Sequence, residues 1–281
     1  MFKKVYIEIS DICGLKCSFC PSQKGRRGEM GVELFARICE EIQGKTELIA
    51  LHLLGDPLLC KDLPRYLDIA QRYALRVEIV TSGFYLKRWD FDLLLSPPIH
   101  QCNISLSAFG DVNNPKPKRY LQDVLDLALS HQAKRSETFL NLRMHQSRLD
   151  WELCQFFCSA FGVEASFDSM RIRLGYKLFI RLSKDFEWVR GDGSQESGLD
   201  WSGGVKKKCH ALISQIAFLA DGKVVPCCID CDGGIVLGDI GTQTLEEIFQ
   251  SPTFVAMKKG FLRGVAVHKQ CQQCTYLATL N

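Results

Sequence analysis

The chain has 281 residues, 46% of them apolar and 24% charged, a globular composition that excludes a collagen, a disordered tail and a coiled coil. Thirty-five basic against 32 acidic residues leave a formal charge of +3, too small a surplus to imply nucleic acid by itself. The longest apolar run, Leu48 to Leu54, is broken by His52 and falls far short of the ~20 residues of a membrane span, so no membrane partner is expected. The first ten residues lack a continuous apolar signal core and a small-residue cleavage site, which points to the cytoplasm. Fourteen cysteines are too sparse for a disulfide scaffold, where cysteine reaches about 8–10%, so in a reducing compartment their clustering suggests metal or redox chemistry.

In chain order, extended apolar or alternating segments are predicted at Lys3 to Ser10, Glu47 to Leu54, Arg76 to Thr81, Gln101 to Ser107, Thr138 to His145 and Ala165 to Leu174. Helical patterns separate them at Val32 to Ile42, Leu63 to Tyr73, weakly at Leu86 to Leu95, then Leu121 to Ala133 and Trp151 to Ala160. This alternation predicts a parallel sheet wound by helices, an incomplete α/β barrel whose working loops lie at the carboxyl ends of the strands. After Tyr176 the rhythm stops, and Arg190 to Gly204 reads as a Gly- and Ser-rich linker. From Ile213 the pattern becomes strand, Asp221-Gly222 turn, strand and a helix near Leu245 to Lys259. The expected domains are 1–185, a linker at 186–204 and a small α+β module at 205–281. Asn113 to Arg119 reads as a solvated basic loop, or alternatively as a lip gripping an anion; Lys206 to Lys208 reads as a solvated run.

The strongest local signal is Cys13-Gly-Leu-Lys-Cys17-Ser-Phe-Cys20, just beyond the first predicted strand. Three thiolates in one turn can wrap a soft metal centre and leave one position open, whereas a structural site closes its shell. Reduced loop cysteines or an accidental zinc site are the bland alternatives. Strand alternation supplies an independent argument: with helices covering the outside, polar side chains two apart should face the interior. That places Asn103, Ser105 and Ser107 on one inward face and Asn141, Arg143 and His145 on another. A second set, Cys209, Cys227, Cys271 and Cys274, brackets the C-terminal hairpin, with Gly222 at its turn.

At the first motif the chain resembles the radical S-adenosylmethionine superfamily, whose signature is C-x3-C-x2-C with an aromatic residue, here Phe19, before the last cysteine. The resemblance implies a partial (β/α)6 barrel in which Cys13, Cys17 and Cys20 hold a [4Fe-4S] cluster and S-adenosylmethionine binds the fourth iron. One electron then gives a 5′-deoxyadenosyl radical that takes a hydrogen atom from substrate. Leu54-Gly55-Asp56-Pro57 resembles the family's Gly-Gly-Glu-Pro with two replacements, and Thr81-Ser82-Gly83 its Thr-Asn-Gly with one. By that likeness Phe19, Gly55, Asp56, Ser82, Ser105, Ser107 and Arg143 contact the cofactor, Arg143 through its carboxylate, and Gly175-Tyr176 lies near the adenine.

The spacing Cys209-x12-Gly222-x4-Cys227 resembles the opening of the SPASM extension; the chain ends seven residues after Cys274, as in its shortened twitch form. The resemblance implies an auxiliary [4Fe-4S] cluster on Cys209, Cys227, Cys271 and Cys274, with structural zinc as the alternative and Cys228 or Cys231 as alternative ligands. Cys39, Cys60, Cys102, Cys154 and Cys158 are expected in the core. The implied activity is oxidation of a small-molecule or peptide substrate with the auxiliary cluster as electron acceptor and a flavodoxin or ferredoxin as reductant. Rival readings are a peptide or RNA modifier of the same superfamily and a non-enzymatic iron-sulfur or zinc protein. A peptide maturase is expected to carry a further recognition domain of about 80 residues, for which no length remains, and RNA would need an organised basic surface where the sequence has two short patches.

Overall fold

A computed structural model describes residues 1–21, 27–186, 188 and 205–276. Its strands are β1 (Lys4–Ile7), β2 (Leu48–Ala50), β3 (Arg76–Thr81), β4 (Ile99–Ser105), β5 (Phe139–His145), β6 (Arg171–Gly175), β7 (Leu178–Ser183), β8 (Val205–Lys206), β9 (Gln215–Phe218), β10 (Lys223–Val225), β11 (Gly238–Asp239) and β12 (Val265–Ala266). All but β8 and β12 form one sheet in the order β11-β10-β9-β1-β2-β3-β4-β5-β7-β6. From β9 through β7 every neighbour is parallel; the β6–β7, β9–β10 and β10–β11 pairs are antiparallel.

The outer face is apolar because helices cover it. Val5 and Ile7 of β1 are fully buried there, while Lys4 and Tyr6 point the other way. The helix Val32–Ile42 turns Phe35, Ile38, Cys39 and Ile42 inward, and Phe35 packs on Tyr66 of the neighbouring helix Leu63–Arg72 at 4.8 Å between ring centroids. The helix Trp151–Ala160 begins where the Asp150 side chain accepts a hydrogen bond from Leu153 N at 3.0 Å. Cys39, Cys60, Cys102, Cys154 and Cys158 lie buried in this core, and none of the fourteen cysteines is in a disulfide.

Three expectations are corrected. The sixth parallel strand is β7, not the segment 165–174: the chain turns at Lys177, whose φ is +49°, and Leu178 and Ile180 continue the alternation into the core. β6 is its antiparallel partner at the sheet edge. The fourth strand ends at Ser105, and Ser107 sits in the short helix Leu106–Gly110. The C-terminal helical pattern is two helices, Leu245–Phe249 and Pro252–Leu262, because Ser251 caps a new start at Pro252. The expected linker 186–204 lies, apart from 186 and 188, outside the described residues.

The C-terminal hairpin is joined to the barrel rather than set beside it. β9 pairs in parallel with β1 through Lys4↔Gln215 to Ile7↔Phe218, so the sheet runs across the expected domain boundary. No helix is long and apolar enough to cross a membrane among the described residues.

Candidate functional site

At the carboxyl ends of the parallel strands the chain leaves β1 and enters the loop of the first cysteine motif. Glu8, fully buried, follows β1 and receives both Nε (2.7 Å) and Nη2 (3.0 Å) of Arg27 at the far end of the loop. The same carboxylate accepts from Leu54 N at 3.3 Å and Ala220 N at 3.1 Å, so one side chain gathers the loops after β1, β2 and β9. Asp11 closes the base of the loop by accepting from Arg27 N (3.0 Å) and Gly28 N (2.9 Å). Gly55 must be glycine on two counts: its φ is +72°, and a Cβ there would strike the backbone carbonyl of Ser10.

The cysteine loop itself is held from behind. Asp111 accepts from Ser18 N (2.8 Å) and Ser18 Oγ (2.7 Å), and Arg148 bridges Asp111 and Ser18 Oγ at 3.3 and 2.8 Å. Asn114 accepts from Lys16 N at 2.9 Å and donates through Nδ2 to Cys17 Sγ at 3.1 Å. Tyr85 OH donates to the Cys13 carbonyl at 3.0 Å. Asn114 therefore belongs to neither reading of the segment 113–119; it is a buried anchor of the motif. The signal for these anchors is absent from local spacing, because each anchor lies 72 to 130 residues from the loop position it holds.

Cys13, Cys17 and Cys20 line a cavity of about 490 Å³ that also takes in Phe19, Gly55, Asp56, Ser82, Ser105, Ser107 and Arg143. The structure thus brings the expected first-motif and cofactor residues around one space. Asp56 spends its carboxylate within the protein, accepting from Thr81 Oγ1 (2.7 Å), Ser82 N (2.9 Å) and Leu58 N (3.1 Å); burial pushes its carboxyl up, and these bonds oppose the push. It positions the Thr81-Ser82 turn. Ser107 Oγ accepts from His145 N at 2.9 Å, and His145 packs on Phe19 at 4.9 Å between ring centroids. Gly175 and Tyr176 do not join this group: they form the β6–β7 turn, where Tyr176 OH reaches the Glu137 carboxylate at 3.0 Å.

The floor of the cavity is a polar network inside the barrel. Glu78 pairs with Lys4 and accepts from Asn103 Nδ2 at 3.2 Å, and Asn141 donates to Asn103 Oδ1 at 3.0 Å. Burial opposes the Glu78 charge more than any one neighbour favours it, but Lys4, His52 and Arg143 together outweigh it and the carboxyl stays below its usual range. His52 stands edge-on to Tyr6 at 5.7 Å, and its buried Nδ1 has no hydrogen-bond partner. Burial pushes His52 down to about 4, so it is neutral at physiological pH.

From the C-terminal side, Cys228, Ile229 and Tyr276 close the same cavity. Phe186 packs between Trp188 and Tyr276 at 5.0 and 5.2 Å, and Trp188 Nε1 donates to the Phe19 carbonyl at 3.0 Å. Cys228 faces this space beside Tyr6, whereas Cys231 is buried near Cys20 and Glu8. Cys271 stands in electrostatic range of Cys227, Cys209 and Cys274, and Cys209 of Cys274, so the second cysteine set forms one group. Burial raises the thiols of Cys209, Cys227 and Cys271. Lys207 is not a solvated residue; its ammonium caps the carbonyls of Cys271 (3.1 Å), Gln272 (2.9 Å) and Cys274. Grouped, buried sulfur donors of this kind suit a soft metal centre, which supplies the charge that ionises them. Among the described residues, no three Cys, His, Asp or Glu side chains converge on a single-ion site.

Residues 209–275 match a SPASM iron-sulfur cluster-binding domain. The whole chain aligns with BtrN solved in complex with AdoMet and 2-DOIA, at TM-score 0.61 and 18% identity over 94% of this chain and 88% of that one. It aligns likewise with Streptococcus suis SuiB bound to S-adenosylmethionine, at TM-score 0.64 and 14% identity over 99% and 72%. The chain shares the fold of these two solved structures, with the SPASM-matching segment at residues 209–275. A sequence relative is the S-adenosyl-L-methionine-dependent 2-deoxy-scyllo-inosamine dehydrogenase of Niallia circulans, 29% identical over 93 residues, which are 31% of this chain and 37% of that dehydrogenase.

Proposed function

We propose that the chain is a radical S-adenosylmethionine oxidoreductase, acting as a dehydrogenase on a substrate held between two iron-sulfur sites. One observation carries the reading: a single cavity has Cys13, Cys17 and Cys20 on one wall and Cys228, Ile229 and Tyr276 of the SPASM module on another. In this reading Cys13, Cys17 and Cys20 hold a [4Fe-4S] cluster with an open position, and Cys209, Cys227, Cys271 and Cys274 hold an auxiliary [4Fe-4S] cluster. When bound, these groups and S-adenosylmethionine supply a 5′-deoxyadenosyl radical for hydrogen abstraction and an acceptor for the electron that the substrate radical gives up.

The chain's own part is placement and exclusion of water. Phe19, Phe186 and Trp188 close an aromatic wall that keeps water from a reactive centre. Gly55, Ser82, Ser105 and Ser107 offer backbone and hydroxyl contacts to the cofactor, Asp56 fixes the turn that presents them, and Arg143 pairs with the cofactor carboxylate. The reductant is a flavodoxin or ferredoxin, the substrate a small molecule or peptide, and the setting the cytoplasm.

The test is anaerobic reconstitution followed by dithionite. The expected result is a brown protein with about eight irons per chain, from two four-iron clusters, that forms 5′-deoxyadenosine. Iron loading without 5′-deoxyadenosine would leave an electron carrier or scaffold. A single turnover that yields product with the auxiliary cluster unreduced would remove the dehydrogenase assignment.

A further inference from the structure

Three arginines occupy one row across the end of the sheet. Arg143 of β5 is in register with Arg181 of β7, and Arg181 with Arg171 of β6. In-register neighbours project to one face, and the alternate row, Leu142, Ile180 and Ile172, is buried in the core on the other. Arg143 and Arg181 accordingly line the cavity. Like charges opposite one another on adjacent strands repel and destabilise the pair. Among the described residues no carboxylate lies within 4.0 Å of any of the three. Arg171 lies over the Phe179 ring face at 5.4 Å.

The carboxylates nearby are already committed: Glu78 to Lys4 and Asn103, Asp56 to Thr81 and Ser82, and Asp185 to Ser147. S-adenosylmethionine cannot balance the row, since its one carboxylate is outweighed by its ammonium and sulfonium. β6 is the free edge of the sheet, and Arg171 and Arg181 are exposed, so the row runs from the cavity to solvent.

We propose that the substrate is a small anion, a molecule bearing a carboxylate or phosphate group, which Arg181 binds beside the cofactor-paired Arg143 while Arg171 draws it in at the rim. The proposal rests on the radical reading above and gives its substrate a chemical class. Arg181 acts as a specificity residue, through a charge-assisted and preferably bidentate contact.

The test is calorimetric titration of the reconstituted protein, saturated with S-adenosylmethionine, with inorganic pyrophosphate and with citrate as probes. One anion per chain is expected to bind, more weakly as salt rises. Arg181→Gln should weaken binding at least tenfold, Arg181→Lys should restore part of it, and Arg171→Gln should cost about threefold, while Lys259→Gln, exposed on the helix Pro252–Leu262 and outside the cavity, leaves it unchanged. Absence of anion binding in the wild type, equal binding by Arg181→Gln, or an Arg181→Gln variant that loses S-adenosylmethionine instead would overturn the proposal. Wild-type 5′-deoxyadenosine is scored separately: anion binding without it keeps the anion site and removes the radical reading, and the converse removes only the anion site.

Discussion

Asn114 is the side chain whose contribution to the first cysteine loop is most direct. Its amide donates to Cys17 Sγ and its carbonyl holds the Lys16 N–H, so Asn114→Ala removes a donor to a thiolate as well as a loop anchor. With a cluster bound, fewer hydrogen bonds to sulfur leave more charge on the ligand and lower the reduction potential. The expected outcome is a more negative midpoint in redox-monitored spectroscopy, with a loss of about 1–2 kcal/mol in stability. His52 makes a different prediction. The unfolded chain takes up a proton on this ring as pH falls through about 6.5, while in the folded protein, among Tyr6, Lys4, Glu78 and Arg143, it does so only near 4. Between those values the unfolded state binds more protons, so stability falls as pH falls, by on the order of 2 kcal/mol. His52→Gln should flatten that part of the profile in denaturant titrations at pH 7 and pH 5. An unchanged slope would mean that the ring takes up its proton at the same pH in the folded and unfolded chains.

Among the elements, β1 is tied to three separate loops, since Glu8, just past its end, reaches the loop after β2, the exit of the cysteine loop and the β9–β10 turn. Removing one partner of a buried, bidentate ion pair leaves an uncompensated charge and costs about 3–5 kcal/mol. Glu8→Ala is expected to lower the thermal midpoint by on the order of 10 °C, and the paired change with Arg27→Met should recover part of the loss. Several elements were legible before any coordinates. The apolar period marks Val32–Ile42 and Trp151–Ala160 at their observed ends, and Arg76–Thr81 reads as a strand because alternation is a local property. The same locality explains the misses: the Gly175 to Lys177 turn hides a strand behind one residue at positive φ, and Ser107 follows its strand by two residues into a new helix. At the site, the spacing of Cys13, Cys17 and Cys20 is written in one turn of chain. Asp111, Asn114 and Glu8 are legible only in the fold, because their partners lie in loops distant in sequence, and the arginine row only through strand register.

The whole molecule is organised by the parallel β1–β9 pairing, which makes the C-terminal hairpin a continuation of the barrel sheet. A fragment ending at residue 204 would expose the β1 edge and strand Glu8 without Ala220. Such a fragment is expected to be insoluble or to melt without cooperativity, and a sharp, wild-type-like transition in calorimetry would contradict the shared sheet. The same pairing decides what spaces the two sulfur-rich regions. Their separation is a matter of ladder rungs between neighbouring strands, and the covalent tether that joins barrel to hairpin has no say in it. Insertions in that tether, or a circular permutation that cuts it, should therefore leave the distance between those two regions unaltered.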